Sequence, residues 1–165
     1  MMNTEHKSNT DASIKDLWQT PKEIFNKLNY EFNFTGDVAA SKENALCKNF
    51  YTEQDNALEQ EWFYSNWLNP PYSDITPWMD KAIEQHSKGK TVVMLVPADT
   101  SVQWFKKAFD SCTECRFISG RISFINAETQ KPVSGNNKGS VIFIWRGFSQ
   151  SPRSVSLIDR SYFGL

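Results

Sequence analysis

A chain of 165 residues, 39% hydrophobic and 14% aromatic, holds enough apolar material for one packed domain, and no run approaches the ~18 consecutive apolar residues of a membrane span. Three cysteines, with Cys112 and Cys115 as the one C-x-x-C pair, are too few for a disulfide framework or a four-ligand zinc site, and a structural role for that pair, no metal and a cytoplasmic address are expected. The net charge of −1 conceals a balance of −7 over residues 1–80 and +6 over residues 81–165, a pattern suited to a cationic ligand in the first half and a phosphate backbone in the second.

Residues 1–16 are polar, lack an apolar period and read as a mobile leader ahead of a domain at 17–147. Thr20, Pro21, Lys22 and Glu23 have the form of a capping box with proline at the first helical position. Ile24, Phe25 and Leu28 continue at helical spacing, so a helix is predicted over 21–28. Phe32, Phe34 and Val38 predict a strand that runs into a loop at Ala39, Ala40 and Ser41, with Asp37 near its carboxyl end. Phe50 with Tyr51 predicts a second, short strand, and the aromatic run 62–68 a third. Thr76 caps a crossover helix that reaches His86 through Trp78, Ala82 and Ile83. The apolar run 91–96, stopped by Pro97, is too short for a helix and fits a central parallel strand. Ser101 caps a further helix carrying Trp104, Phe105, Ala108 and Phe109, and 115–118 is the next strand. Residues 121–125 and 140–145 predict an antiparallel hairpin at the sheet edge, joined by the polar loop 126–139. Residues 148–165 have little periodicity and support no assignment.

Strands alternating with helices predict an open, mostly parallel α/β sheet with a late antiparallel hairpin, and in such sheets ligands gather beyond the carboxyl ends of the strands. Asp37, Asn69, and Pro97 with Asp99 each follow a predicted strand, so three loops converge on one crevice.

Asn69, Pro70, Pro71 and Tyr72 occupy the second of these loops. The string suits methyl transfer to a planar amine, whose lone pair is delocalised and must be drawn out of the plane. The Asn69 side-chain oxygen and the Pro70 carbonyl are acceptors for the two amine hydrogens, the prolines hold the loop rigid, and Tyr72 is a surface for stacking. The string by itself admits adenine, guanine or a glutamine amide.

Beyond that string, the chain resembles the phage-type DNA N6-adenine methyltransferases, the Dam-like family. The carriers are Trp18, Thr20 and Pro21; Asp37, Val38, Ala39 and Ala40; Asn44, Asp55, Leu58 and Trp62; and residues 69–72 with Trp78. Residues 95–98, Trp104, Phe105 and the run 120–124 complete the match. The resemblance implies a Rossmann-like fold, S-adenosylmethionine as methyl donor, S-adenosylhomocysteine as product, and adenine N6 of double-stranded DNA as acceptor. It implies that Trp18 binds the cofactor and that Thr20 and the backbone near Pro21 hold its methionine end. Asp37 binds its ammonium or organises the loop beneath it, Ala39 permits close approach, Asn44 reaches the ribose, and Asp55 accepts from the cofactor's adenine amine. Relatives with an insertion for target recognition differ from this chain, which must read DNA with core loops.

The target amine lies inside the duplex, so the adenine is expected to flip out. Tyr72 and Phe124 are candidates for its two faces, with Phe124 equally suited to the core, and Ser73 sits beside the string. Arg121, Lys131, Lys138, Arg146, Lys106 and Lys107 are candidate phosphate contacts, and Asn136, Asn137 and Lys138 candidate readers of base edges. Two other readings share the residues: methylation of a protein glutamine or of guanine N2 in RNA, and a silent nucleic-acid-binding relative. Oligomeric state is not readable.

Overall fold

The computed structural model describes residues 16–133 and 136–165, so residues 1–15 of the expected leader lie outside the described residues, as do Ser134 and Gly135. The strands are β1 (Trp18–Gln19), β2 (Gly36–Asp37), β3 (Ser65–Leu68), β4 (Thr91–Pro97), β5 (Glu114–Ser119), β6 (Ile125–Asn126), β7 (Ser140–Trp145) and β8 (Ser154–Asp159). The helices are α1 (Lys22–Phe32), α2 (Thr76–Ser87) and α3 (Gln103–Ser111). Six strands form one sheet in the order β2-β3-β4-β7-β5-β8, and β1 pairs with β6 in a separate two-stranded ribbon.

Alternation along the strands sorts the core into two layers. Val92, Met94 and Val96 of β4 face α2 and α3 through Met79, Ala82, Phe105 and Ala108. Val93 and Leu95 face the other way, onto Ile24, Phe25 and Leu28 of α1 with Phe124 and Phe163. A sheet buried on both sides needs apolar residues at consecutive positions, which is why β4 and β7 read as unbroken apolar runs. β2, β3 and β4 are mutually parallel, and β5 with β8 is parallel again. Cys112 and Cys115 are buried as free thiols that burial pushes up to about 11 and about 12, which suits the structural role.

The expected antiparallel strand is present, but its place and partners differ. β7 lies inside the sheet, antiparallel to β4 on one side and β5 on the other. Residues 121–124 form no strand, and Ile125–Asn126 turns away to pair with Trp18–Gln19. Because all six residues of β7 are buried, a central slot covered on both faces suits it better than an edge. Phe50 makes only an isolated bridge to Asp37. Residues 148–165 supply β8, the edge strand beside β5, and Phe163, which enters the core.

The helix ends also depart from expectation. α1 begins at Lys22 and continues to Phe32, where Asn33 at φ 48° stops it and the Asn29 side-chain oxygen accepts from the Phe34 N–H. Its N-cap is Pro21, so Thr20 makes no cap. Ile75 and Val102 occupy the other two N-cap positions, and Ser101 donates to Asp99 instead. Local competition among neighbouring hydroxyls and carboxylates decides such details.

Candidate active site

The register of β2, β3 and β4 brings the three predicted loops together. Asp37 stands opposite Trp67, Leu68 stands opposite Met94, and all three strands end at the same edge. Gly36 is required there because a Cβ would lie 1.8 Å from the Phe63 ring. Since β7 runs antiparallel, its first residue Ser140 and the preceding Gly139 arrive at that edge too, with Ala98 N–H donating to Gly139 O at 2.9 Å. The resulting cleft is lined by Trp18, Tyr72, Pro97, Phe124 and residues 136–140, and is open to solvent.

Among the described residues, three buried side-chain polar atoms have no hydrogen-bond partner: Trp18 Nε1, Thr20 Oγ1 and Asn69 Oδ1. An indole N–H, a hydroxyl and an amide oxygen left bare cost ~1–3 kcal/mol each, a cost that native proteins rarely carry without function. All three belong to segments that the sequence singles out, and Thr20 is bare because it does not cap α1. The donor set fits the methionine end of S-adenosylmethionine and an exocyclic amine, which present carboxylate, ammonium and N–H groups.

Asp37 is almost fully buried beneath the loop 39–46, accepting from Ala39 N–H at 3.4 Å and Leu46 N–H at 3.1 Å. Burial pushes its carboxyl up to about 6, against the pull of those two donors. Asn44 turns its oxygen onto Ser41 N–H at 2.6 Å, and exposed Asp55 accepts from the Thr52 N–H and hydroxyl at 2.8 and 2.7 Å. Both acceptors are therefore engaged in local turns.

Tyr72 packs between the two core layers at the end of the sheet, its hydroxyl 3.4 Å from Leu95 O. Burial raises that hydroxyl above its ordinary value, so it stays protonated. Phe124 meets Tyr72 edge to face at 5.9 Å and 90°, while its own face is stacked on Trp18 at 5.7 Å and 21°. No parallel slot separates Tyr72 from Phe124, and Phe124 forms the buried floor of the cleft. Asn136 Nδ2 donates to Ile122 O at 2.9 Å and holds the rim, whereas Asn137 and Lys138 are exposed on it. Sequence reading missed Asp16, whose carboxylate accepts from Ser73 N–H and Oγ–H at 3.0 and 2.5 Å and ties the chain ahead of β1 to the tetrapeptide. A lone aspartate in a polar stretch offered no signal.

The charge asymmetry of the halves is partly offset by ion pairs between them. Glu31, Glu61 and Asp80 of the first half pair with Arg116 and Arg146, with Lys88 and Lys90, and with Lys107. Arg146 ends β7 and so lies at the amino end of β4, away from the cleft, bound to Glu31 and Glu114. Lys106 pairs with Asp110. Lys138 pairs with Asp99 at 2.8 Å across the rim, which holds the Asp99 carboxyl down at about 2. Arg121 and Lys131 have no carboxylate partner among the described residues and remain the exposed cations near the late loop.

Residues 7–163 match the family model of DNA N-6-adenine-methyltransferase (Dam). The chain belongs to this family. It is 41% identical over 157 residues to the DNA N-6-adenine-methyltransferase of Escherichia phage T1, covering 84% of this chain and 66% of that protein. It is 40% identical over 144 residues to the DNA N-6-adenine-methyltransferase of Haemophilus phage HP1, covering 84% of this chain and 83% of that one. The chain thus spans about two thirds of the phage T1 relative's length. The α/β sheet, parallel at β2, β3 and β4 with an antiparallel strand alongside, is the Rossmann-like fold expected of this family. No described helix is long and apolar enough to cross a membrane.

Proposed function

We propose that this protein transfers a methyl group from S-adenosylmethionine to N6 of adenine in double-stranded DNA. The observation that carries this reading is the trio of buried, unpartnered atoms Trp18 Nε1, Thr20 Oγ1 and Asn69 Oδ1 in a chain of the Dam family. The names of its phage relatives support the same acceptor.

Asn69 Oδ1 and the Pro70 carbonyl accept the two hydrogens of the adenine amine and draw its lone pair out of the ring plane. Because Asn69 Oδ1 is shielded from water, that bond is not weakened by competition. S-adenosylmethionine supplies, when bound, an electrophilic methyl group on a positively charged sulfur. Trp18, Thr20 and the backbone at Pro21 hold its methionine end, and the Asp37 carboxylate complements its ammonium while tethering the loop that carries Ala39. Asn44 and Asp55 act indirectly, by shaping the turns beside the site. Tyr72 offers the half-buried aromatic surface for the extruded base. Its protonated hydroxyl makes it no base, so the proton released from the methylated nitrogen passes to water. Ser73, Arg121, Asn137 and Lys138 meet the DNA around the rim.

Labelled S-adenosylmethionine incubated separately with duplex DNA, RNA and protein tests the reading. Label is expected in N6-methyladenine of the duplex, and label confined to RNA, to protein or to nothing overturns it.

A further inference from the structure

The two edges of the six-stranded sheet are finished differently. At one, β2 is two residues long and its outer side is taken: Asp37 N–H donates to Asn49 O at 3.0 Å and Tyr51 N–H to Asp37 O at 2.9 Å. At the other, β8 runs for six residues in unbroken register with β5, and among the described residues no element pairs with its outer side. A bare edge is a template for another strand, and proteins that avoid such pairing place a lysine, a proline or a bulge within it. β8, with the sequence Ser-Val-Ser-Leu-Ile-Asp, has none of these. Val155 and Leu157 are instead 54% and 71% exposed, and they continue the row of Cys115 and Phe117 on β5.

The backbone decides which registers are open. Ser154 N–H donates to Thr113 O at 3.2 Å, so Ser154, Ser156 and Ile158 turn their backbone groups toward β5. Val155, Leu157 and Asp159 turn theirs outward. An antiparallel partner must match outward residues with outward residues. When that partner is β8 of a second copy, centring the pair on Ser156 sets Val155 opposite Leu157 and Arg153 opposite Asp159, each twice by symmetry. A centre at Val155 sets Arg153 against Leu157, and a centre at Leu157 sets Val155 against Asp159. Each of these two centres pairs its own residue with its copy but sets the other apolar side chain against a charge. Only the middle register gives both an apolar partner, and it brings Arg153, whose guanidinium donates to Phe109 O and Asp110 O at 2.8 and 2.6 Å, beside Asp159.

We propose that this chain forms a two-fold dimer through antiparallel β8–β8 pairing centred on Ser156. The axis is perpendicular to the sheet, so the second copy's strands run the other way and the two clefts open at opposite edges of the joined sheet. Neither copy completes the other's site. A six-residue pairing is short, so the association is expected to be weak and concentration-dependent.

Sedimentation of the full chain from ~1 to ~200 µM should show monomer giving way to dimer. Leu157→Lys should stay monomeric across that range with an unchanged melting temperature, since the side chain is exposed in the single copy. Ser156→Cys should oxidise to a linked dimer, because directly opposed residues of this pair type have Cα atoms ~4.5 Å apart, within disulfide reach. Ser154→Cys, which the register sets opposite Ile158, should not. A wild type that stays monomeric, a dimer that survives Leu157→Lys, or Ser156→Cys linking no faster than Ser154→Cys overturns the proposal.

Discussion

Asn66 and Asn69 stand three residues apart, one within β3 and one just beyond it, and the fold treats them in opposite ways. At the amino end of the sheet, Asn66 accepts from Phe63 N–H at 2.8 Å and donates to Phe63 O and Thr91 O at 2.7 and 3.0 Å. Nearby, Lys90 Nζ donates to Glu61, to Trp62 O and to Gln85, and Arg116 links Glu31 to Glu114. At the carboxyl end, Asn69, Thr20 and Trp18 keep bare polar atoms under cover. The same chain satisfies its buried polar groups where only stability is at stake. It leaves three of them open at the carboxyl end, where the proposed function has a ligand supply the partners.

Exchanging the two asparagines for alanine gives the sharpest break. Asn69→Ala should lower the single-turnover methylation rate by at least ~10²-fold while denaturant melts show no loss of stability, because the truncation removes a bare buried acceptor. Asn66→Ala should do the reverse, costing about 3 kcal/mol in the same melts through stranded Phe63 and Thr91 groups. Its rate per folded molecule should stay within a few-fold of wild type. A large stability loss in Asn69→Ala would show that the two ends are alike after all.

Thr20→Val tests the site end at finer scale. Losing one hydroxyl contact should weaken cofactor binding about tenfold by calorimetry, with no loss of stability. Were Thr20 a helix cap, the melt would instead drop by ~1 kcal/mol.

Asp37 adds a pH dependence with a definite sign. Its folded value of about 6 lies above the ordinary 3.8, so its contribution to stability is fully present below the ordinary value and lost as pH rises through about 6. Cofactor binding runs the other way: the ionised form attracts the ammonium, so affinity should fall up to ~10-fold per pH unit below 6. Titrations between pH 5 and 8 check this, and Asp37→Asn should flatten the profile. The smallest effect is expected for Lys138→Ala, which should reduce the salt slope of DNA binding by about 1 or less, because Asp99 already shares that charge.

Much of this protein was legible along the chain. The helical spacing of Ile24, Phe25 and Leu28, the apolar run ended by Pro97 and the tetrapeptide after β3 are local signals, set by side-chain periodicity and by proline's restriction of its neighbours. They were enough to place Asp37, Asn69 and Pro97 at one edge of a mostly parallel sheet. What failed depended on partners distant in sequence. Whether β7 pairs with residues 121–125 or slides between β4 and β5 turns on burying both its faces, which no local pattern encodes. Whether Phe124 offers an open face turns on Trp18, more than a hundred residues earlier. Part of the basic second half is taken up in ion pairs, because Lys88, Lys90, Lys107, Arg116 and Arg146 met carboxylates from the first.

The sequence by itself thus determined most of the elements, the place of the Asn69–Tyr72 string after β3 and the family, because those rest on short-range sterics and residue chemistry. Only the tertiary structure decided that Thr20 makes no helix cap, that Trp18 and Asn69 keep unpartnered atoms, and that β8 has no partner on its outer side among the described residues. Hydrogen-bond satisfaction is a property of the whole packed molecule: a polar atom is orphaned or paired according to what the rest of the chain brings within reach.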